Sequence, residues 1–207
     1  MFAVKDVVKP APVFLMSDSF SVSVSGFGKI SVKKGVASLA GSQNAPSFFD
    51  AESIVAKSPD ARLGDATWNF AGGDQTDVLR GGAGDDTLLG GKGRDFYEGR
   101  EGKDVFGIYG GKKHLKTIID FKSGEDTLLL RSDKKSFARW ERQGGLFTNI
   151  TNKKQLLGGK ADIIGYNQTN GKVFFYNGKT GKASCIAQLV PGTTLDRKDI
   201  QLTIPEK

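Results

Sequence analysis

The sequence predicts an all-β fold, a parallel β-roll flanked by antiparallel strands, and three observations predict it. Glycine supplies 28 of 207 residues, about twice the usual share. Much of that glycine falls in one segment of strict nine-residue periodicity, and both flanks read as short alternating runs separated by turn formers. Apolar and charged contents of 38% and 26% are those of a globular chain and argue against wholesale disorder. The length suits one large domain or two small ones. A single histidine, His114, and a single cysteine, Cys185, exclude His/Cys zinc sites, an HExxH metalloprotease and an internal disulfide. Metal chemistry is left to oxygen ligands.

From 72 to 107 the chain divides into GGDQTDVLR, GGAGDDTLL, GGKGRDFYE and GREGKDVFG without a slip of phase. Asp77, Asp86, Asp95 and Asp104 fill slot six, and Leu79, Leu88, Tyr97 and Phe106 fill slot eight. A degenerate unit, 63–71, precedes them with Phe70 in slot eight and Trp68 where the aspartate would be, as a terminal cap would. Glycines in slots one, two and four suit positive φ and a tight turn, and slots seven to nine extend as a strand. Two units then make one 18-residue coil, and coils stack as parallel strands roughly 4.8 Å apart. Leu79 is expected on Tyr97 and Leu88 on Phe106, both between two sheets. The same winding sets Asp77 beside Asp95 and Asp86 beside Asp104, where like charges repel unless a cation sits between them.

Calcium fits that position, since it takes about 6 to 8 oxygen ligands in irregular geometry. The candidate ligands are the carboxylates of Asp77, Asp86, Asp95 and Asp104 with the turn backbone at Gly72, Gly73, Gly81, Gly82, Ala83, Gly84, Gly90, Gly91, Gly93, Gly99 and Gly102. Four units give two complete sites between coils, and end sites completed by residues such as Asp65 or Asp126 extend the expected range from two to four Ca2+ ions. Affinities in the range of roughly 10⁻⁴ to 10⁻³ M would fill them outside a cell and leave them empty in cytosol. A flexible linker has no reason to keep aspartate at every ninth position. A metal-free solenoid is the stronger competitor, because Lys92, Arg94 and Lys103 lie in the turns and oppose a cation.

The units resemble the GGxGxDxUx nonapeptide of the RTX (repeats in toxin, haemolysin-type calcium-binding) family, and that resemblance implies a parallel β-roll. Gln75 in slot four and Arg100 in slot two depart from the pattern, at roughly 1 to 2 kcal/mol each if positive φ is required there. Further on, TIIDFKSGEDTLLL (117–130) and KVFFYNGKTGKASCIAQL (172–189) resemble the region that follows the roll in secreted, serralysin-like RTX proteases. The resemblance covers about 65–204. It implies a bacterial protein exported to the extracellular medium by a type I secretion ABC transporter, a transient partner that reads an uncleaved carboxy-terminal signal. The tail DIQLTIPEK is loosely similar to the acidic-then-hydrophobic endings of such proteases.

Three regions follow: a β-rich amino-terminal cap of unassigned role (1–62), the roll (63–107) and a carboxy-terminal antiparallel β region carrying the secretion signal (108–207). In the first, 19–25 and 29–33 alternate as a hairpin, and 48–57 suit a short helix capped by Ser47. In the third, 115–121, 126–130, 146–150, 163–166, 172–176, 183–190 and 199–204 read as strands. Residues 65–107 carry nine acidic and five basic residues, net −4, which leaves +11 elsewhere to reach +7.

That basic remainder makes an anionic, alginate-like polysaccharide or a cell-surface matrix the second expected partner. No nucleic acid is expected, because the lysine doublets are scattered and Trp140 in ARWERQ is the one aromatic set among basic residues. No stretch approaches the roughly 20 apolar residues of a transmembrane segment. No cleaved amino-terminal signal is expected either, since Lys5, Asp6, Lys9 and Pro10 interrupt the start. Catalysis is not expected: no GxSxG elbow occurs, His114 has no local acid, and Cys185 sits on a small apolar strand face. An exported hydrolase is the remaining alternative.

Overall fold

Alternation of apolar residues over very short runs, each followed by a turn, drives the chain back and forth between two sheets. A computed structural model describes residues 20–24, 28–33, 36–41, 47–51, 66–109, 113–131 and 135–203. Within them the strands are β1 (Phe20–Val24), β2 (Gly28–Lys33), β3 (Val36–Ala40), β4 (Phe48–Asp50), β5 (Thr67–Ala71), β6 (Val78–Arg80), β7 (Thr87–Leu89), β8 (Phe96–Glu98) and β9 (Val105–Tyr109). They continue with β10 (Lys116–Ile118), β11 (Thr127–Arg131), β12 (Phe147–Asn149), β13 (Ile163–Asn167), β14 (Lys172–Asn177), β15 (Lys182–Gln188) and β16 (Ile200–Thr203), and one helix, α1 (Lys135–Arg142), lies between β11 and β12. One sheet runs β1-β2-β3-β5-β7-β9-β11-β16 and the other β12-β13-β14-β15-β10-β8-β6-β4.

From β3 to β11 successive strands fall in alternate sheets and pair in parallel with the strand one coil away. This is the predicted roll. The expected stacking holds in register: Leu79 pairs with Tyr97 and Leu88 with Phe106. The ladders continue as Phe49, Leu79, Tyr97, Ile118 on one side and Phe70, Leu88, Phe106, Leu128 on the other. All eight are buried. The rings of Tyr97 and Phe106 stack with centroids 5.9 Å apart and planes 18° apart, and the Phe49, Phe70 and Trp68 rings cluster at 5.3 to 5.4 Å.

The parallel winding extends past both ends of the repeat. β3 and β4 precede it, and β10 and β11 follow it without any glycine–aspartate unit. The strands expected at 115–121, 126–130 and 199–204 are present as β10, β11 and β16, but their pairing corrects the antiparallel expectation: β10 is parallel to β8 and β15, and β11 to β9 and β16. Among the described residues antiparallel pairing is confined to β1–β2–β3, which includes the predicted hairpin, and to β13–β14–β15. An alternating strand carries the same pattern in either pairing, so periodicity could not distinguish the two.

Two local expectations change. Residues 48–50 are a strand rather than the start of a helix, because Phe49 docks on Leu79 in the slot-eight ladder. Tertiary pairing overrides a weak local preference there, and 52–57 lie outside the described residues. Helix α1 was not anticipated. It buries Phe137 edge-on against Phe175, at 4.8 Å and 80°, and it ends before Gly144, which takes φ +88°. Trp140 is fully buried, its indole N–H donates to the Leu146 carbonyl at 2.8 Å, and the Arg197 guanidinium covers its ring at 4.5 Å. Its ring is therefore closed to a stacking base. No helix among the described residues is long and apolar enough to cross a membrane.

Leu88 is wholly enclosed between Phe70 and Phe106. Leu88→Ala is expected to cost about 2 to 5 kcal/mol, while Thr87→Ala on the outer face of the same strand costs under about 0.5 kcal/mol; urea denaturation with calcium held constant measures both.

Candidate metal centre

Slot six faces inward at the ends of the strands, so its side chain leaves water whatever it carries. Asp77, Asp86 and Asp95 are 0% exposed and Asp104 is 2% exposed. Each carboxylate bridges coils. Asp95 Oδ1 accepts from the Asp77 backbone N–H at 2.9 Å, Asp86 Oδ1 from Trp68 at 2.7 Å, and Asp104 Oδ1 from Asp86 at 2.9 Å, every one of them 18 residues away. Asp77 Oδ1 accepts from Ser47 at 2.6 Å. The second oxygen turns into its own turn: Asp77 Oδ2 accepts from the Gly73 N–H at 2.8 Å and Asp86 Oδ2 from Gly82 at 2.6 Å. Asp126 continues the second row, taking the Asp104 N–H at 3.0 Å and the Lys122 N–H at 2.7 Å. Asp65, the other expected end ligand, lies outside the described residues.

Slot one is glycine for want of space. A Cβ on Gly72 would lie 2.2 Å from Asp77 Oδ2 and 2.8 Å from the Gly90 carbonyl oxygen; on Gly81, 2.2 Å from Asp86 Oδ2 and 2.7 Å from the Gly99 oxygen. Gly90 and Gly99 are pressed against Asp95 and Asp104 in the same way. Positive φ, expected at slots one, two and four alike, is confined to slots two and four of the last two turns, at Gly91, Gly93, Arg100 and Gly102. Gln75 is thus unstrained. Arg100, at φ +75°, is the single non-glycine residue with positive φ among those described. Its guanidinium reaches the Gly81 carbonyl at 2.6 Å and Asp50 at 3.3 Å, contacts that offset the strain.

The turn carbonyls line the spaces between coils. The Gly73 and Gln75 oxygens approach the Cβ positions of Gly91 and Gly93, and the Gly84 oxygen approaches that of Gly102. Slot-two and slot-four carbonyls therefore face the next turn along the roll, and the slot-one carbonyls of Gly90 and Gly99 face back. Ala83 is exposed at the tip of its turn, where its backbone alone could act. Among the described residues no three His, Cys, Asp or Glu side chains converge. The donor set is instead a few carbonyl oxygens with a carboxylate from each turn, all hard ligands, which fits calcium and suits no thiophilic metal.

Burial without a cation penalises the charged carboxylates. Desolvation raises Asp86 to about 6, opposed by the Gly82 and Trp68 N–H groups, and Asp104 to about 7, opposed by the Asp86 N–H and aided by the charges of Asp86 and Asp126. Asp95 is raised to about 6 by burial, against the pull of Lys116. Lys116 itself was not foreseen. It is 0% exposed, and its Nζ donates to Asp95 Oδ2 at 2.5 Å, the Gly91 carbonyl at 2.8 Å and the Gly93 carbonyl at 3.2 Å. The signal lay in register: Thr117 pairs with Phe96, so Lys116 stands opposite Asp95. His114, expected at the surface, is half-buried and accepts the Gly93 N–H through Nδ1 at 3.0 Å.

The family model described as the RTX calcium-binding nonapeptide repeat, four copies, matches residues 71–106. Residues 71–106 are RTX repeats. Repeats of this kind bind calcium, and the buried Asp77, Asp86, Asp95 and Asp104 and the turns around them lie within the matched residues. No curated protein matches the chain.

Two predictions test this geometry of the RTX turns. Gly81→Ala drives a methyl into Asp86 and the Gly99 carbonyl and is expected to destabilise the calcium-loaded chain by about 1 to 3 kcal/mol; Gly82→Ala, whose methyl meets nothing nearer than 3.6 Å, is tolerated in the same thermal melt. The second concerns pH. Folded-state values raised above 3.8 at Asp86, Asp95 and Asp104 mean that the folded chain holds more protons than the unfolded one between about pH 4 and 7. In EDTA, stability therefore falls as pH rises across that window and levels off above it. Calcium needs the ionised form, so its apparent affinity drops as pH falls below about 6; calorimetric titrations at pH 5 and 7.5 measure the difference.

Proposed function

We propose that this is an exported calcium-responsive protein whose RTX roll is loose in calcium-poor cytosol and winds up on binding extracellular Ca2+. The observation that carries the reading is the pair of fully buried slot-six rows, Asp77–Asp95 and Asp86–Asp104. Their charges lose water on folding and recover it only in part from backbone N–H groups, so a divalent ion between turns supplies the missing attraction. Coupled this way, folding follows calcium concentration: a ligand at 100 times its dissociation constant adds about 2.7 kcal/mol. The residues proposed to hold the ions are the four slot-six aspartates and the turn backbone named above, with two ions between paired turns and a further position on the Asp104–Asp126 step.

Export by a type I ABC transporter fits a chain that stays unwound until it meets calcium. The resemblance of 117–130 and 172–189 to the region behind the roll of secreted proteases supports the same route, and the reading includes no catalytic step. An anionic polysaccharide partner draws no support from the surface that carries the exposed Phe48 and Phe96 rings. There Phe48 and Phe96 flank Arg80, whose charge is already balanced by Glu98 at 2.9 Å and Asp50 at 3.7 Å.

Circular dichroism across a calcium titration tests the coupling: strand content is expected to rise through the submillimolar to millimolar range and to fall back by the same increment on adding EDTA, and an unchanged spectrum would refute it. Asp86→Ala is expected to move the midpoint upward by roughly tenfold or more, as loss of a charged ligand should. Asp74→Ala, which removes a half-exposed carboxylate paired with Lys92 at 2.7 Å, leaves it nearly unchanged. For export, full-length chain should reach the medium only from cells that also carry a type I transporter.

A further inference from the structure

Lys116 is a buried ammonium in a strand start, enclosed by three oxygens, and the fold gives it no solvent. It stands in the slot-six row of one edge, which reads Asp77, Asp95, Lys116 along the roll. A third aspartate would continue the pattern there. The oxygens around it are the slot-two carbonyl of Gly91, the slot-four carbonyl of Gly93 and the slot-six carboxylate of Asp95. One coil earlier the same three positions of the turn are Gly73, Gln75 and Asp77: the Gly73 and Gln75 carbonyls face the next turn, and Asp77 Oδ2 accepts from the Gly73 N–H beside them. The Tyr109 ring lies 5.8 Å from the ammonium, and along the sheet Lys116 pairs with Ala187 of β15.

We infer that the Lys116 ammonium is a tethered substitute for a calcium ion, filling the cation position at the carboxy-terminal face of the 90–95 turn and closing that edge of the roll without metal. The inference rests on the reading of the turns as calcium sites and adds which position does not take one. At this position a single positive charge on a side chain replaces both the divalent ion and the aspartate that the next coil would have supplied. The charge count is kept: one carboxylate, one ammonium. On the other edge the row continues with Asp126 instead, and Lys122 Nζ makes only an exposed contact to the Arg100 carbonyl at 3.2 Å, so that edge keeps its acidic partner. The two edges of one roll thus end differently, one with its own cation and one open to an ion from solution.

The test is the number of calcium ions bound per full-length chain, measured by equilibrium dialysis at saturating calcium, together with thermal melting in EDTA and in calcium. Lys116→Ala is expected to bind one ion more than the wild type, to melt lower than the wild type in EDTA, and to recover most of the difference in calcium. Lys116→Arg, which keeps the charge, is expected to bind the wild-type number. Equal stoichiometry for Lys116→Ala and the wild type would overturn the inference, as would an Ala variant that stays unfolded at every calcium concentration, because an ion able to take the ammonium's place would have restored it. A wild type that binds no calcium would defeat the reading of the repeats and this inference with it, whereas equal, non-zero stoichiometry defeats this inference alone.

Discussion

Everything in this fold answers to one constraint, the need to neutralise aspartates that the winding of the chain removes from water. Slot six cannot face solvent without unwinding the turn, and slot eight cannot enter the core without carrying slot six to the strand end beside it. The protein meets the constraint in three ways: backbone N–H groups donated across coils, a buried lysine at one end of one row, and hard oxygen cradles between turns that suit a divalent ion. The first is weak, since an N–H dipole only partly replaces hydration of a full charge. The carboxylates therefore stay raised toward neutral pH until a true cation arrives.

The aromatic ladders serve the same end from inside. Because Leu79, Tyr97, Leu88 and Phe106 lock in register with their neighbours, the aspartate two residues upstream of each is held at a fixed height along the roll. Tyr97 adds a polar pin: its hydroxyl accepts from the Gly90 N–H at 2.8 Å and donates to the Gly107 carbonyl at 3.0 Å. Hydrophobic burial and cation placement are thus two readings of one nine-residue spacing.

Much of this was legible in the sequence, and the part that was not has a physical cause. Phased aspartates and phased apolar residues determined the coil, the stacking partners and the acidic rows, and the strands expected downstream are present with ends that differ by up to three residues. Pairing direction was hidden, because β10 and β11 alternate in the same way whether their neighbours run with or against them. Of the helix forecast over 48–57 only 48–50 are overturned, by the pairing of Phe49 with Leu79 thirty positions away; residue 51 is helical and 52–57 lie outside the described residues. Glycine in slot one was attributed to backbone freedom, yet the carboxylate packed against it is the reason. Lys116 was missed because it carries the opposite charge from the pattern being followed, and only strand register reveals that it stands in an aspartate's place.

The step between coils also changes along the chain. Within the repeats the rows advance by 18 residues, whereas Asp95 reaches Lys116 across 21 and Asp104 reaches Asp126 across 22. The longer loops interrupt the regular pitch where the metal-binding units stop, and the coil beyond them is fastened by side chains of its own. A spiral built this way is not symmetric end to end: beyond the repeats its carboxy-terminal coils are held across wider loops by the Lys116 and Asp126 side chains.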